Sequence, residues 1–226
     1  MVEVFKRKGS KREIRSLMNG ENARESLGEL YSGCEIYGLT KGQFSLIHLL
    51  QAILDQTGPA DVSIATWTAA RAEIDTAYKF LQDGNVKSLR FLVDRSFPTR
   101  QPAYCSALIE KFGKEAIRVT RTHAKFLLIK NEVWNIVVRT SMNLNENPRV
   151  ENFEISDDPR MYEFMNKLVE DVWDQGDWDE SNFEVLGRAE QKRKDASGGL
   201  GKDTKFTKES LQNNFKLNQK FDKPRI

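Results

Sequence analysis

The feature that most constrains this chain is a hydrophobic period that switches repeatedly between two residues, as in a strand, and about 3.6 residues, as in a helix, between positions 30 and 180. Residues 35–39, 61–67 (DVSIATW), 88–94 (SLRFLVD) and 116–120 (AIRVT) read as strands. Between them, 44–54, 72–81 and 104–112 read as helices; in the second, Ile74, Ala77, Tyr78 and Leu81 share one face. Two apolar runs at 124–129 and 134–138, joined by the polar turn Lys130-Asn131-Glu132, predict a hairpin. An amphipathic helix begins near Pro159, with Met161, Phe164, Met165, Leu168, Val169 and Val172 at helical spacing. Strands alternating with helices predict an α/β domain. The hairpin makes its sheet mixed, and helices are expected on both faces.

The pattern stops at both ends. Residues 1–28 are polar and basic and are expected to form an extension holding a short basic helix. Residues 187–226 are rich in Gly, Ser and Lys, and are expected to be disordered, with Phe206, Phe215 and Phe221 as docking points. The domain proper is therefore placed at 29–186. The overall net charge of +2 conceals an asymmetry: positions 188–226 carry eleven Lys/Arg against five Asp/Glu, and the first fifteen carry six against two. Basic ends on a near-neutral body point to a polyanion such as nucleic acid, although charged tails also serve solubility alone. No apolar window is long enough for a membrane span and no signal-like stretch opens the chain, so a soluble, cytoplasmic protein without a membrane partner is expected. Cys34 and Cys105, far apart and without metal-ligand spacing, read as buried free thiols.

Only two histidines occur. His48 lies in the apolar helix SLIHLLQAIL and reads as structural. His123 opens the first hairpin strand as Thr122-His123-Ala124-Lys125, and residues two apart on a strand point to one side. An imidazole beside an ammonium makes poor core and a good oxyanion site. After the second hairpin strand, Ser141, Asn143 and Asn145 again share one side, followed by Glu151-Asn152-Phe153-Glu154. A nucleophile, a cation, a hydroxyl, carboxamides and a carboxylate together make a phosphate-binding inventory.

These residues resemble the phospholipase D superfamily, whose signature is H-x-K-x4-D, then G-S-x-N, then N-x-E or E-N. The resemblance covers roughly residues 30–175. His123-Ala124-Lys125, Ser141-Met142-Asn143 and either Glu151-Asn152 or Asn152-Phe153-Glu154 match, while Lys130 stands at the motif Asp and Thr140 at the Gly. The resemblance implies a phospholipase D-like fold and phosphodiester hydrolysis without metal or other cofactor. One His attacks phosphorus to form a phosphohistidine, and a second protonates the leaving oxygen. Lys125 and Asn143 would hold the non-bridging oxygens, Ser141 would complete the site, and Glu151 or Glu154 would orient the imidazole. Because the chain has one motif, the scheme implies a homodimer with two copies of His123 face to face.

Lys41, in a Gly38-to-Gln43 loop that resembles a phosphate loop but lacks the Walker order, is a candidate substrate-binding residue. So are Asn145, Asn152, and the strand-end arginines Arg71 and Arg95, though a solvated arginine is the plainer reading of each. Trp67 and Trp134 suit base stacking or simple packing. The expectation is a nuclease acting on DNA or RNA. A catalytically inactive nucleic-acid-binding or scaffold protein of the same fold is the alternative, and a lipid phosphodiesterase is disfavoured by size.

Overall fold

The structure, a computed structural model, describes residues 13–16, 22–145 and 148–174. The basic tail at 187–226 and its three phenylalanines lie outside the described residues, as do residues 1–12 of the N-terminal extension.

Each apolar run of the strand period takes its place in one eight-stranded sheet. The strands are β1 (Glu13–Ser16), β2 (Glu35–Thr40), β3 (Ala60–Thr66), β4 (Val86–Asp94), β5 (Ile117–Thr120), β6 (Phe126–Lys130), β7 (Asn135–Thr140) and β8 (Glu151–Asp157). Their order is β1-β2-β8-β7-β6-β3-β4-β5. β1 runs parallel to β2, and β3, β4 and β5 are mutually parallel. The antiparallel β6–β7–β8 meander fills the space between these two groups. The sheet is therefore mixed, as the hairpin requires.

Helices α1 (Ala23–Leu27), α2 (Leu46–Thr57), α3 (Arg71–Gln82), α4 (Phe97–Arg100) and α5 (Pro102–Phe112) contribute to one core, and α6 (Pro159–Asp174) to a second. Alternation along the strands assigns each side chain: Val62, Ile64, Leu127, Ile129, Ile136, Val138 and Phe153 belong to the larger core. Ala65, Phe126, Leu128 and Val137 meet Tyr162, Val169 and Val172 of α6. Helices thus cover both faces. α2 buries seven of its twelve residues, which explains why its sequence is apolar nearly all round. α6 covers its face with a narrower stripe, and Leu168, expected inward, is exposed. Gly38 faces Phe153 across β2 and β8, where a Cβ would run into the buried ring, so glycine is required by close approach.

Three local expectations change. In the N-terminal stretch the described residues form the parallel edge strand β1 and the helix α1, which puts Ala23 and Leu27 in the core rather than in an outlying basic helix. α2 starts at Leu46, not 44, because Ser45 and His48 cap it: Ser45 N donates to His48 Nδ1 at 3.2 Å. The second hairpin strand begins at Asn135, since Trp134 belongs to the turn, its N–H donating to Asn131 Oδ1 at 2.9 Å. Cys34 and Cys105 are buried free thiols, and burial pushes Cys105 up to about 11.

Candidate active site

The strand directions bring one set of chain ends to a single sheet edge. The carboxyl ends of β2, β3, β4, β5 and β7 emerge there together with the amino ends of β6 and β8. Every sequence-predicted site residue except Glu154 is located at or just beyond these ends. Carboxyl ends of parallel strands are a general location for binding sites in open α/β sheets.

His123 and Lys125 precede β6 rather than open it, since the strand starts at Phe126. Side chains hold the segment instead: Thr122 N donates to Asp94 Oδ2 at 3.2 Å, and Ala124 N to Thr122 Oγ1 at 3.0 Å. Lys125 O still accepts from Thr140 N at 3.1 Å, which keeps the pair in register with the hairpin. His123 is exposed and Lys125 half-buried. Lys125 Nζ donates to His123 O at 3.1 Å and lies 3.5 Å from His123 Nδ1. Burial lowers the Lys125 pKa, and the negative charge of Glu151 partly counters this.

Across the hairpin, Ser141 Oγ donates to Glu151 Oε2 in a very short contact and accepts from Asn152 N at 3.0 Å. Thr140, at the motif glycine, donates its hydroxyl to Asn152 O at 2.5 Å and accepts from Met142 N at 2.9 Å, so it builds the turn after β7. The turn is then clamped to the loop between β3 and α3. Leu144 N donates to Thr68 O at 3.2 Å, and Leu144 O accepts from Ala70 N at 2.7 Å. Asn143 and Asn145 line a small cavity with Gly42 and Glu151. Asn143 Oδ1 is buried and has no hydrogen-bond partner among the described residues.

The two carboxylates separate. Glu151 shares the side of Phe153 and Ile155 in β8 and meets Ser141 and Lys125. Glu154, three residues on, lies on the opposite side and ion-pairs with Arg139, its register partner in β7. Among the contacts of the described residues, Glu151 Oε2 serves Ser141, not the imidazole expected for it. Asn152 contributes its backbone to Ser141. Lys41 is exposed directly after Thr40, the register partner of Glu151. Arg71 pairs its guanidinium with Asp75, 3.4 Å away on α3. Arg95 is half-buried at the end of β4, its N–H donating to Thr120 O at 3.0 Å. Lys130 lies at the other end of β6 and pairs with Glu163 at 3.2 Å.

Two neighbours of the imidazole could not be placed from sequence. The Trp67 ring lies 5.6 Å from that of His123, tilted by 58°. Arg100 covers Trp67, its Cζ 3.6 Å from the ring centre, and donates to Trp67 O at 2.9 Å. Trp67 was legible only as a strand-end aromatic, and Arg100 carried no signal. An exposed imidazole, a half-buried ammonium and a hydroxyl–carboxylate pair form an edge suited to a phosphoryl group.

No protein-family model matches the sequence. No curated protein matches it either. In structure the chain is similar to Nuc from Salmonella typhimurium, a phospholipase D family member, at 17% identity and a TM-score of 0.46 over 64% of this chain and 97% of that one. It is also similar to NucT from Helicobacter pylori, at 13% identity and a TM-score of 0.43 over 62% and 96% of the two chains. Similarity to polyphosphate kinase from Porphyromonas gingivalis, at 14% identity and a TM-score of 0.47, covers 65% of this chain and 26% of that one. No helix among the described residues is long and apolar enough to cross a membrane.

Proposed function

We propose that the chain is a phospholipase D-like, metal-independent phosphodiesterase that cleaves nucleic acid through a phosphohistidine on His123. The observation that carries this reading is the meeting of His123, Lys125, Ser141 and Glu151 at one sheet edge, from three separated segments. Lys125 faces Nδ1 of the ring, so Nε2 is the nitrogen directed at phosphorus. Its lone pair forms the N–P bond as the P–O bond to the leaving group breaks. The leaving oxygen takes a proton from the imidazolium of a second acid. Water then attacks phosphorus, gives a proton back to that acid, and releases the imidazole.

Lys125 and the Asn143 amide would stabilise the non-bridging oxygens, with Lys41 at the rim. Glu151 accepts from Ser141, and its negative charge opposes the lowering of the Lys125 pKa by burial. His48 caps α2 through its Nδ1 against Ser45 and has no lysine two residues on, so it is not taken as the second acid. His123 of a second copy fills that role, which makes the working unit a homodimer. A polyanionic substrate suits the basic residues at this edge and the basic composition of both ends.

The test is hydrolysis of labelled single- and double-stranded DNA and RNA in excess EDTA, wild type beside His123→Ala. Cleavage that survives EDTA and disappears in the variant is expected. Binding without cleavage by either protein would replace the nuclease by a nucleic-acid-binding protein of the same fold.

A further inference from the structure

A cleft that begins beside the proposed site has the opposite chemistry. It measures about 540 Å³ and is bordered by the loop after β3, the start of α3, and α5. Asn145, which lines the small cavity with Glu151, is also a wall of this cleft. Thr68, another wall, follows Trp67, the ring packed against His123. A group bound at the imidazole therefore has this cleft as its neighbour.

No lysine or arginine among the described residues lines it. Its ionisable carboxylate is Glu73, only 6% exposed, and Glu73 Oε2 has no hydrogen-bond partner among the described residues. A glutamate in the first turn of a helix is favoured by the helix dipole, but a solvated position serves that purpose equally. Burying a carboxylate oxygen without a donor costs stability, so Glu73 Oε2 is an unmatched acceptor in the wall of a cleft that His48, Thr76 and Gln101 also line. Tyr104 supplies a half-buried aromatic wall. Gln101 Oε1 accepts from Thr68 Oγ1, which leaves the Gln101 amide nitrogen as a donor.

We infer that this cleft is a nucleobase subsite selective for guanine, with Glu73 as the residue that reads the base. The inference rests on the proposed nucleic-acid substrate and names its specificity. A carboxylate accepts only, and guanine is the common base whose pairing edge presents two adjacent donors, N1–H and the N2 amino group. Adenine and cytosine place a ring acceptor beside their amino group, and uracil flanks its single donor with carbonyls; each sets a lone pair against the carboxylate. The Gln101 amide suits the guanine O6, and Tyr104 suits the ring face. The cleft would hold the base while Lys125 and His123 hold the adjoining phosphate.

The test uses nucleosides, which lack phosphate and so report the cleft alone. Guanosine, inosine, adenosine, cytidine and uridine are titrated into the full chain by calorimetry, with Glu73→Gln and Ala72→Trp as variants. Ala72 is exposed at the cleft mouth, so the indole would obstruct it without touching the core. Guanosine should bind about tenfold or more tighter than inosine, which lacks the amino group, and should lose about that much in Glu73→Gln. Ala72→Trp should abolish the binding and decides the matter if Glu73→Gln does not fold. Equal binding of all five nucleosides, or none, or guanosine binding unchanged in the variants, overturns the inference. Guanosine selectivity without EDTA-resistant cleavage would leave the subsite standing and remove the nuclease; cleavage without nucleoside selectivity would do the reverse.

Discussion

The two ends of the β6–β7 hairpin are both polar, yet they are built on different terms. At the turn, the side chains of Asn131 and Lys130 are tied to the chain itself. Asn131 Nδ2 donates to Thr57 O at 2.9 Å, its Oδ1 receives the N–H groups of Val133 and Trp134, and Lys130 pairs with Glu163. At the open end, Lys125 is half-buried against an imidazole, and Asn143 keeps a buried oxygen unpartnered among the described residues. The turn satisfies its amide and ammonium within the chain, whereas the open end keeps one buried amide oxygen unmatched among the described residues. His123 and Lys125 lie just before β6 and Lys130 closes it, about 15 Å away. Lys130, where the resembled motif has Asp, pairs with Glu163 of α6 at the end of β6 away from His123.

The sharpest way to break this contrast is His123→Ala, which should reduce cleavage about a thousandfold or more in a nuclease assay while the melting temperature stays within a degree or two of wild type. Loss of stability comparable to a core mutation would place His123 in the framework instead. Glu151→Gln should follow with about a hundredfold loss. It also carries a pH signature. Lys125 must be protonated to hold an oxyanion, and burial already lowers its pKa while Glu151 raises it. Removing the Glu151 charge lowers the Lys125 pKa further, so the alkaline fall of the pH–rate profile should begin at lower pH than in wild type. A profile that does not move would detach Glu151 from Lys125.

At the turn the effects should reverse in kind. Asn131→Ala should cost about 1–2 kcal/mol in denaturant unfolding, because two N–H groups and a helix-end carbonyl lose their partner, with cleavage unchanged. Smallest of all is Lys130→Asp, which restores the motif residue. It should leave cleavage within about twofold and lower stability by at most about 1 kcal/mol, since the ion pair with Glu163 is solvent-exposed. A large gain of activity would show that the motif Asp acts on the site from a distance.

Much of this was legible in the sequence because it depends on period. The strand and helix runs from 35 onward emerge within a few residues of their expected bounds, and His123 stood out because the chain has only two histidines. β1 was not legible: EIRS is short and charged, as edge strands often are, and its pairing with β2 comes from tertiary packing. The choice between Glu151 and Glu154 could be narrowed to opposite sides of a strand by their spacing of three. Which side faces His123 depends on how β8 lies beside β7, and no local pattern encodes that. Trp67, Arg100 and Glu73 reach the site only because β3 and β6 are neighbours in the sheet while far apart in the chain.

The strand order also dictates when this protein becomes itself during synthesis. β2 and β3 are made one after the other, yet three later strands separate them in the sheet. Until β6, β7 and β8 have emerged, each of the early strands keeps an unpaired edge waiting for sequence as much as a hundred residues away. A ribosome halted before Glu151 releases a chain that already contains the imidazole and the ammonium but lacks the strand that joins β2 to the rest. Until then the sheet stands in two parts, each with a bare edge that invites the wrong neighbour.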